Sequence, residues 1–118
     1  MYARDDDASA EQWQQLPAGT HIREAAESFR LLGDPTRLGV LWLLCGGEYD
    51  VTSLAHAVGV ARPAVSQHLA KLRLAGLVST RRDGRRVLSR ARGGHVRGLL
   101  AEAVNAADHR LTGAPEHD

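Results

Sequence analysis

The stretch VTSLAHAVGVARPAVSQHLAKLRLAG, residues 51–76, predicts two helices separated by only a few residues. The first helix begins near Thr52 and ends before Gly59, a residue type that commonly stops a helix. Pro63 suits the first turn of the second helix, where its missing N–H is not needed, and Gly76 ends that helix. Two short helices joined by a tight turn that contains glycine form a helix-turn-helix.

Residues 80–87, TRRDGRRV, follow the second helix and predict a β-hairpin. Asp83-Gly84 between two β-prone runs is a strong hairpin signal, because both central residues of a type I′ turn have positive φ. The predicted strands are Leu77–Arg82 and Arg85–Arg90. A hairpin that directly follows a helix-turn-helix is the wing of a winged helix-turn-helix.

The four arginines of the hairpin face one another in this predicted register. Arg82 lies opposite Arg85 and Arg81 opposite Arg86, and like charges placed directly across a hairpin destabilise it. One interpretation is that the arginines only keep the hairpin edge soluble and unpaired. The other is that they repel until a polyanion binds, since in a wing they would meet phosphates along a DNA duplex.

The second helix of the helix-turn-helix has one apolar and one polar face. Val65, Leu69 and Leu72 fall within about 60° of one another on a helical wheel and form the predicted buried stripe. On the opposite face, glutamine can bind adenine through two hydrogen bonds, and lysine and arginine can reach guanine or phosphate. Taken singly, Lys71 and Arg73 are more typical of a solvated surface, but the arginine hairpin that follows the helix favours DNA. The candidate DNA contacts of this helix are Arg62, Ser66, Gln67, His68, Lys71 and Arg73.

Charge is strongly segregated along a chain of 118 residues whose net charge is only +1. Residues 62–97 hold ten of the fifteen Lys and Arg residues but one of the fourteen Asp and Glu residues, a net charge of +9. The other residues carry 5 basic and 13 acidic side chains, a net charge of −8. A basic segment in a nearly neutral chain is typical of a polyanion-binding face.

Composition also argues against several classes of protein. The length fits one domain, and 43% hydrophobic and 25% charged residues are ordinary for a globular protein. No apolar run approaches the roughly 20 residues of a membrane span, so we expect a cytoplasmic protein with no membrane partner. The single cysteine, Cys45, allows no internal disulfide or thiolate cluster and is expected to be a core thiol. No arrangement of residues typical of catalysis is present, which predicts that the protein is not an enzyme.

The predicted element order is four helices, the hairpin and a fifth helix, a mainly α fold with one small sheet. Residues 1–19 are expected to form a flexible N-terminal tail. Residues 20–111 are expected to form the winged helix-turn-helix domain for DNA binding and dimerisation, and residues 112–118 a C-terminal tail.

Three further helices carry apolar surfaces with different expected roles. The helix that starts at Pro35 is apolar nearly all round, so it is expected at the centre of the core, with Trp42 buried there. The amphipathic helix Thr20–Leu32 presents a stripe through Phe29. The last helix, from about His95 to Arg110, carries a stripe that predicts a homodimer interface, made by Val96, Leu99, Leu100, Ala103 and Ala107.

Three stretches resemble the ArsR/SmtB family of small, dimeric winged-helix repressors. They are LGDPTRLGVLWLL (32–44), VTSLAHAVGVARPAVSQHLAKLRLAGLV (51–78) and TRRDGRRV (80–87). Within the family, VSQHLAKLR, TRRDG, HVRGLL and the opening MYA are most similar to nickel- and cobalt-sensing members. The resemblance implies a homodimer joined through its first and last helices, and a palindromic operator in double-stranded DNA. It also implies an inducer, commonly a metal ion, that releases the DNA.

The resemblance further implies metal ligands on the last helix, where the sequence departs from the family pattern. Gly93 stands where many members have Asp, and Ala106 where many have His. Imidazole and carboxylate ligands without thiolate suit nickel or cobalt, and zinc also fits. The ligands implied in this sequence are His95, Asp108, His109 and His117, with Glu102 and Glu116 as weaker candidates.

Two alternative functions remain open on the sequence. The inducer could be something other than a metal, or the effector response could require a partner protein. An architectural DNA-binding protein would share the basic surface but show little preference for sequence. Affinities for specific and random duplexes, compared at one salt concentration, separate such a protein from a repressor.

Overall fold

The computed structural model describes residues 11–113 and confirms the predicted order of elements. Residues 11–13 are helical, and the chain divides into two units after Arg30. Most of the two predicted tails, residues 1–10 and 114–118, lies outside the described residues. The elements are α1 (Gly19–Leu32), α2 (Pro35–Gly46), α3 (Val51–Val58), α4 (Arg62–Leu74), β1 (Val78–Asp83), β2 (Arg86–Ala91) and α5 (Gly94–Thr112). Between residues 11 and 113, no helix is both long and apolar enough to cross a membrane.

Helix α1 has two large apolar side chains in contact with solvent. Ile22 is 45% exposed and Phe29 is 61% exposed. On the polar side of the helix, the Arg30 guanidinium donates to the Glu27 carboxylate, with 2.9 Å between Nε and Oε1. The predicted amphipathic helix is therefore present, and Ile22 and Phe29 on its apolar side are exposed.

The two central helices begin at side-chain caps that the sequence contains. The Asp34 carboxylate accepts a hydrogen bond from the backbone N–H of Arg37, with an N–O distance of 2.8 Å, at the start of α2. Asp50 accepts one from the N–H of Ser53, also at 2.8 Å, at the start of α3. Gly59 ends α3 with a φ of 71°, a left-handed conformation that favours glycine. The sharp turn of the helix-turn-helix depends on this residue.

The core is built around α2, as predicted. Val40 and Leu41 are fully buried, and Leu44 is 2% exposed. They pack with buried apolar side chains from α3, α4, β1 and α5: Leu54, Ala55, Val65, Leu69, Leu72, Val78, Val96 and Leu100. This packing fixes α4 against α2 and leaves the opposite side of α4 open.

Trp42 does not lie in the core, contrary to the prediction, because 46% of it is exposed. Trp42 follows Leu41 in the helix, so its side chain projects about 100° further around the axis of α2. There it borders a groove of about 220 Å³ together with Cys45, Leu100 and Ala101. Helix α2 is apolar on all sides, but the fold of one chain covers only part of its circumference.

Helix α5 divides its apolar residues between two surfaces. Val96 and Leu100 are 5% and 1% exposed and belong to the core, so their assignment to the dimer stripe was wrong. A small domain needs this helix to cover one side of α2. The residues that face outward include Ala103, Val104 and Leu111, the last two being 39% and 86% exposed. The exposed apolar surface therefore lies toward the C-terminal half of α5.

The hairpin is confirmed, but its turn lies one residue later than predicted, so each residue of β1 pairs two residues further along β2. Asp83 pairs with Arg86, so the turn consists of Gly84 and Arg85. Gly84 has a φ of 66°, and among residues 11–113 only glycines have positive φ. A single positive φ at the first turn position fits a type II′ turn, whereas the predicted type I′ turn requires two.

The observed register separates the arginines that were predicted to face one another. Arg81 lies opposite Leu88, and Arg82 lies opposite Val87. The pair nearest the turn joins an aspartate with an arginine, and opposite charges across a hairpin are favourable. The hairpin is thus not under charge repulsion that a polyanion must relieve.

A short extended segment between α2 and α3 pairs with one edge of the hairpin. Tyr49 forms an isolated antiparallel bridge with Ser89. The Tyr49 N–H donates to the Ser89 carbonyl at 3.0 Å, and the Ser89 N–H donates back to Tyr49 at 2.9 Å. The bridge places Glu48 and Asp50, which flank Tyr49, beside the arginines of the hairpin.

Candidate nucleic-acid interface and effector residues

Helix α4 presents the predicted polar face to solvent. Its buried residues are Val65, Leu69 and Leu72, which confirms the predicted apolar stripe. The side chains predicted to contact DNA are exposed except for His68, and they are Arg62, Ser66, Gln67, Lys71 and Arg73. A helix with one side fixed in the core and a small, polar, basic opposite side has the shape required to enter the major groove.

His68 points toward α2. Its side chain is 18% exposed, and Nε2 lies 3.7 Å from the Asp34 carboxylate. Its Nδ1 lies 3.2 Å from the Arg37 guanidinium. Helical spacing alone predicted His68 on the flank of the DNA-facing side. It could not show that His68 contacts Arg37, which is 31 residues away in the chain.

One open cleft connects α4 with the hairpin. It has a volume of about 480 Å³, and Thr52 of α3 also borders it. The predicted DNA contacts that line it come from two separate elements and are Arg62, Ser66, Arg73, Arg85 and Arg86. The fold thus brings cations from the helix and from the wing to the same concave surface.

Two of the four hairpin arginines are paired with acids that lie far from them in the sequence and were not predicted. Arg81 donates from Nε and Nη2 to the two carboxylate oxygens of Glu48, at 2.7 and 2.8 Å. Arg86 donates to Asp50 at 3.2 Å. Among residues 11–113, Arg82 and Arg85 form no salt bridge. The four cations therefore differ in how readily they can turn to a phosphate.

The acids of these pairs are ionised at neutral pH. The hydrogen bond from Arg81 lowers the pKa of Glu48. The pKa of Asp50 is lowered mainly by the backbone N–H of Ser53, and Arg86 contributes further. Because each pKa lies below its ordinary range, the pairing is intact at neutral pH. Its small contribution to stability is lost only as the pH falls through the lowered pKa values.

The predicted metal ligands that fall among residues 11–113 do not come together within one chain. His95 lies in the first turn of α5 and is exposed, whereas Asp108 and His109 lie near its end. Fourteen residues of helix separate the two histidines by about 21 Å. Between residues 11 and 113, no group of three His, Cys, Asp or Glu side chains could hold a metal ion. Glu102 is exposed on α5, and Glu116 and His117 lie outside the described residues.

Cys45 is a poor candidate for metal binding. It is partly buried, and burial raises the pKa of its thiol. The thiolate is the form that binds metals, so a raised pKa disfavours that role. Its backbone carbonyl accepts a hydrogen bond from Arg97 at 2.9 Å, which connects the end of α2 to α5.

Comparison with known proteins agrees with this arrangement. The model of the bacterial regulatory proteins of the ArsR family matches residues 34–80. The chain is 52% identical over 91 residues to the HTH-type transcriptional regulator KmtR of Mycobacterium tuberculosis, an alignment that covers 77% of this chain and 70% of that protein. It is 38% identical over 86 residues to NmtR of the same organism, covering 73% and 72% of the two chains.

Solved structures show the same fold. The homodimeric winged helix-turn-helix DNA-binding domain of a possible ArsR-family regulator from Mycobacterium bovis matches with a TM-score of 0.73 and 32% identity. The match covers 84% of this chain and 92% of that one. NolR from Sinorhizobium fredii matches with a TM-score of 0.67 and 33% identity, covering 86% and 99% of the two chains. The chain belongs to the ArsR family of bacterial regulatory proteins.

Proposed function

We propose that the protein is a homodimeric repressor that binds an operator in double-stranded DNA and leaves it when a transition-metal ion binds. The observation that carries this proposal is the single cleft that joins the polar face of α4 to the arginine hairpin. Most of the residues that line it belong to residues 62–97, the segment of net charge +9. A repressor of this kind acts in the cytoplasm, where bacterial DNA is found.

Helix α4 is proposed to read base edges in the major groove. Ser66 and Gln67 are exposed near its N-terminal end, the part of a recognition helix that meets the bases. Gln67 can bind adenine through two hydrogen bonds, and Lys71 can reach guanine. Arg62 and Arg73 lie in the cleft beside the wing, where they suit phosphate contacts that position the helix.

We expect Gln67→Ala to reduce sequence preference more than affinity for DNA in general. A bidentate contact to the correct base supplies about 1–3 kcal/mol of discrimination, so the ratio of specific to random affinity should fall by about tenfold. Binding to random duplex should change little, because Gln67 carries no charge. Fluorescence anisotropy with both duplexes at one salt concentration measures the two values. An unchanged ratio would remove Gln67 from the base-reading set.

The wing is proposed to supply phosphate contacts through Arg82 and Arg85. Neither forms a salt bridge among residues 11–113, so neither must leave an acid before it meets a phosphate. Arg81 and Arg86 are held by Glu48 and Asp50. The carboxylate of Glu48 also repels an approaching phosphate, so it limits the electrostatic part of binding.

We expect Glu48→Gln to strengthen DNA binding without regard to sequence. The change removes one negative charge and leaves Arg81 available for an additional phosphate contact. One such contact steepens the log-log dependence of affinity on salt by about 0.9. Salt titrations with specific and random duplexes should therefore show a similar increase for both. Weaker binding by this variant would indicate that the pair holds Arg81 in the orientation that DNA requires.

A homodimer is proposed to form through α1 and α5. Each helix has exposed apolar side chains in the single chain, namely Phe29 on α1 and Val104 and Leu111 on α5. Burying such side chains is the usual driving force for association. A twofold axis would place two copies of α4 against two half-sites of a palindromic operator.

The metal ion is proposed to bind between the two chains. In an antiparallel pairing of the two α5 helices, His95 of one protomer would lie near the partner's His109, giving two equivalent sites. Asp108 and the tail residues Glu116 and His117 would add ligands, and Glu102 is a weaker candidate. Imidazole and carboxylate suit nickel or cobalt, and zinc also fits. When bound, the ion would link the two helices and alter the spacing of the two α4 helices.

The proposed function is tested by selecting duplexes from a random library with the wild-type protein. The selected duplex should bind at least about a thousandfold more tightly than random duplex at physiological salt. Nickel, cobalt and zinc are then titrated separately into the complex, and nickel or cobalt should release the DNA. Equal affinity for both duplexes would indicate an architectural protein. Sequence preference without release by any metal would indicate a non-metal inducer or a partner protein.

A further inference from the structure

Arg37, a buried cation at the start of α2, contacts groups from two other helices. Arg37 is only 7% exposed, and a buried charge is stable only where hydrogen-bond partners compensate it. Its Nε donates to the Leu31 carbonyl at 2.7 Å, and its Nη1 lies 3.2 Å from Nδ1 of His68. The Leu31 carbonyl is in the last turn of α1, where carbonyls lack partners within the helix. Arg37 therefore connects the end of α1 to the middle of α4.

The hydrogen bond between Arg37 and His68 determines which ring nitrogen of His68 carries the proton. A guanidinium can only donate, so Nδ1 of His68 must accept and its proton must lie on Nε2. Nε2 faces the Asp34 carboxylate at 3.7 Å. The pKa of Asp34 is lowered, chiefly by the backbone N–H of Arg37, so this carboxylate is ionised. Both ring nitrogens of His68 are thus directed at groups from the first turn of α2.

The remaining buried contacts of α4 do not have this directional character. Val65, Leu69 and Leu72 are apolar, and the hydrophobic effect that holds them depends on area and not on angle. His68 lies at the border of this stripe. Around the helix axis, Ser66 projects about 160° away from His68. A rotation of α4 about its axis would break the bond to Arg37 and turn Ser66 away from the cleft.

We propose that His68 and Arg37 are positioning residues, which set the rotation of α4 and so determine the base sequence that it reads. His68 acts from inside the protein and does not contact DNA. The inference rests on the proposed role of α4 in DNA recognition. The two side chains lie behind the DNA-facing side of α4, and Arg37 also bonds to the Leu31 carbonyl at the end of α1.

Three variants test this proposal with the duplex selected by the wild-type protein and a random duplex. His68→Leu removes both polar contacts, whereas His68→Asn keeps an acceptor for Arg37 at the position of Nδ1. Arg37→Lys keeps the charge but cannot donate to the Leu31 carbonyl and His68 together. The matched control is His56→Leu, a histidine replaced on the exposed side of α3. Circular dichroism and thermal unfolding establish that each variant is folded.

We expect His68→Leu and Arg37→Lys to lower the ratio of specific to random affinity by about tenfold, the discrimination that one base contact supplies. Affinity for random duplex should stay within about twofold of the wild type in both. His68→Asn should restore the ratio to within about threefold, and His56→Leu should leave it unchanged.

Other results would overturn the proposal. A folded His68→Leu protein with an unchanged ratio would show that the contact sets no rotation. If His68→Leu does not fold, Arg37→Lys is used in its place. An unchanged ratio of specific to random affinity in that variant would equally show that the contact sets no rotation. Equal losses with specific and random duplex would show that His68 contacts the DNA backbone. If the wild type itself shows no preference, the proposed function has failed, which is a distinct outcome.

Discussion

We expect the double variant Arg82→Ala, Arg85→Ala to bind specific and random duplexes roughly thirtyfold more weakly at physiological salt. Both arginines are exposed on the hairpin, and neither forms a salt bridge among residues 11–113. Each phosphate contact that is lost should reduce the log-log slope of affinity against salt by about 0.9, so the slope should fall by about 1.8. The ratio of specific to random affinity should not change, because phosphate contacts carry no base information.

The matched control for this variant is Arg81→Ala. Arg81 lies in the same strand but is occupied by Glu48, so its removal should change the slope much less. The measurement is anisotropy with both duplexes across a series of salt concentrations. An unchanged slope in the double variant would mean that the wing does not lie along the DNA backbone.

We expect His95→Ala and His109→Ala each to abolish the release of DNA by nickel or cobalt. Coupling between an effector and a second ligand usually changes affinity by about 5- to 150-fold, and that change should disappear in both variants. DNA affinity without metal should remain close to that of the wild type, because both histidines are on α5 and outside the DNA-facing cleft. Each metal is titrated into the preformed complex of variant and selected duplex.

The control for the metal prediction is Glu102→Ala, which changes a weaker candidate on the same helix. It should retain most of the release. If the wild type responds to metal and both histidine variants respond equally well, the site does not lie between the α5 helices.

The parts of the fold that depend on local sequence were predictable. The N-cap Asp34, the helix-ending Gly59 and the apolar stripe of α4 act through neighbours a few residues away, and the structure confirms all three. The hairpin was predictable for the same reason. Its register was not, because type I′ and type II′ turns both accept glycine, and a type II′ turn needs a positive φ only at its first central residue, so Gly84 could be the second residue of one turn or the first of the other.

The features that were missed depend on residues distant in the sequence. Glu48 approaches Arg81 only because Tyr49 pairs with the hairpin, and His68 turns inward only because Arg37 is buried beside it. Helical periodicity identifies an apolar side but not the surface that covers it. For that reason Trp42 was placed in the core although it is half exposed. The same limit explains the assignment of the α5 residues Val96 and Leu100 to the dimer.

Hydroxyl-radical footprinting of the wild-type protein on its selected duplex tests the proposed arrangement on DNA. In that arrangement two copies of α4, related by a twofold axis, read two half-sites while the wings follow the adjacent backbone. We predict two symmetric protected segments whose centres are separated by one helical turn, about 10 base pairs, or a multiple of it. Each should be flanked by protection that disappears in the Arg82→Ala, Arg85→Ala variant. A single protected segment, or uniform protection along the duplex, would show that two copies of α4 do not read two half-sites.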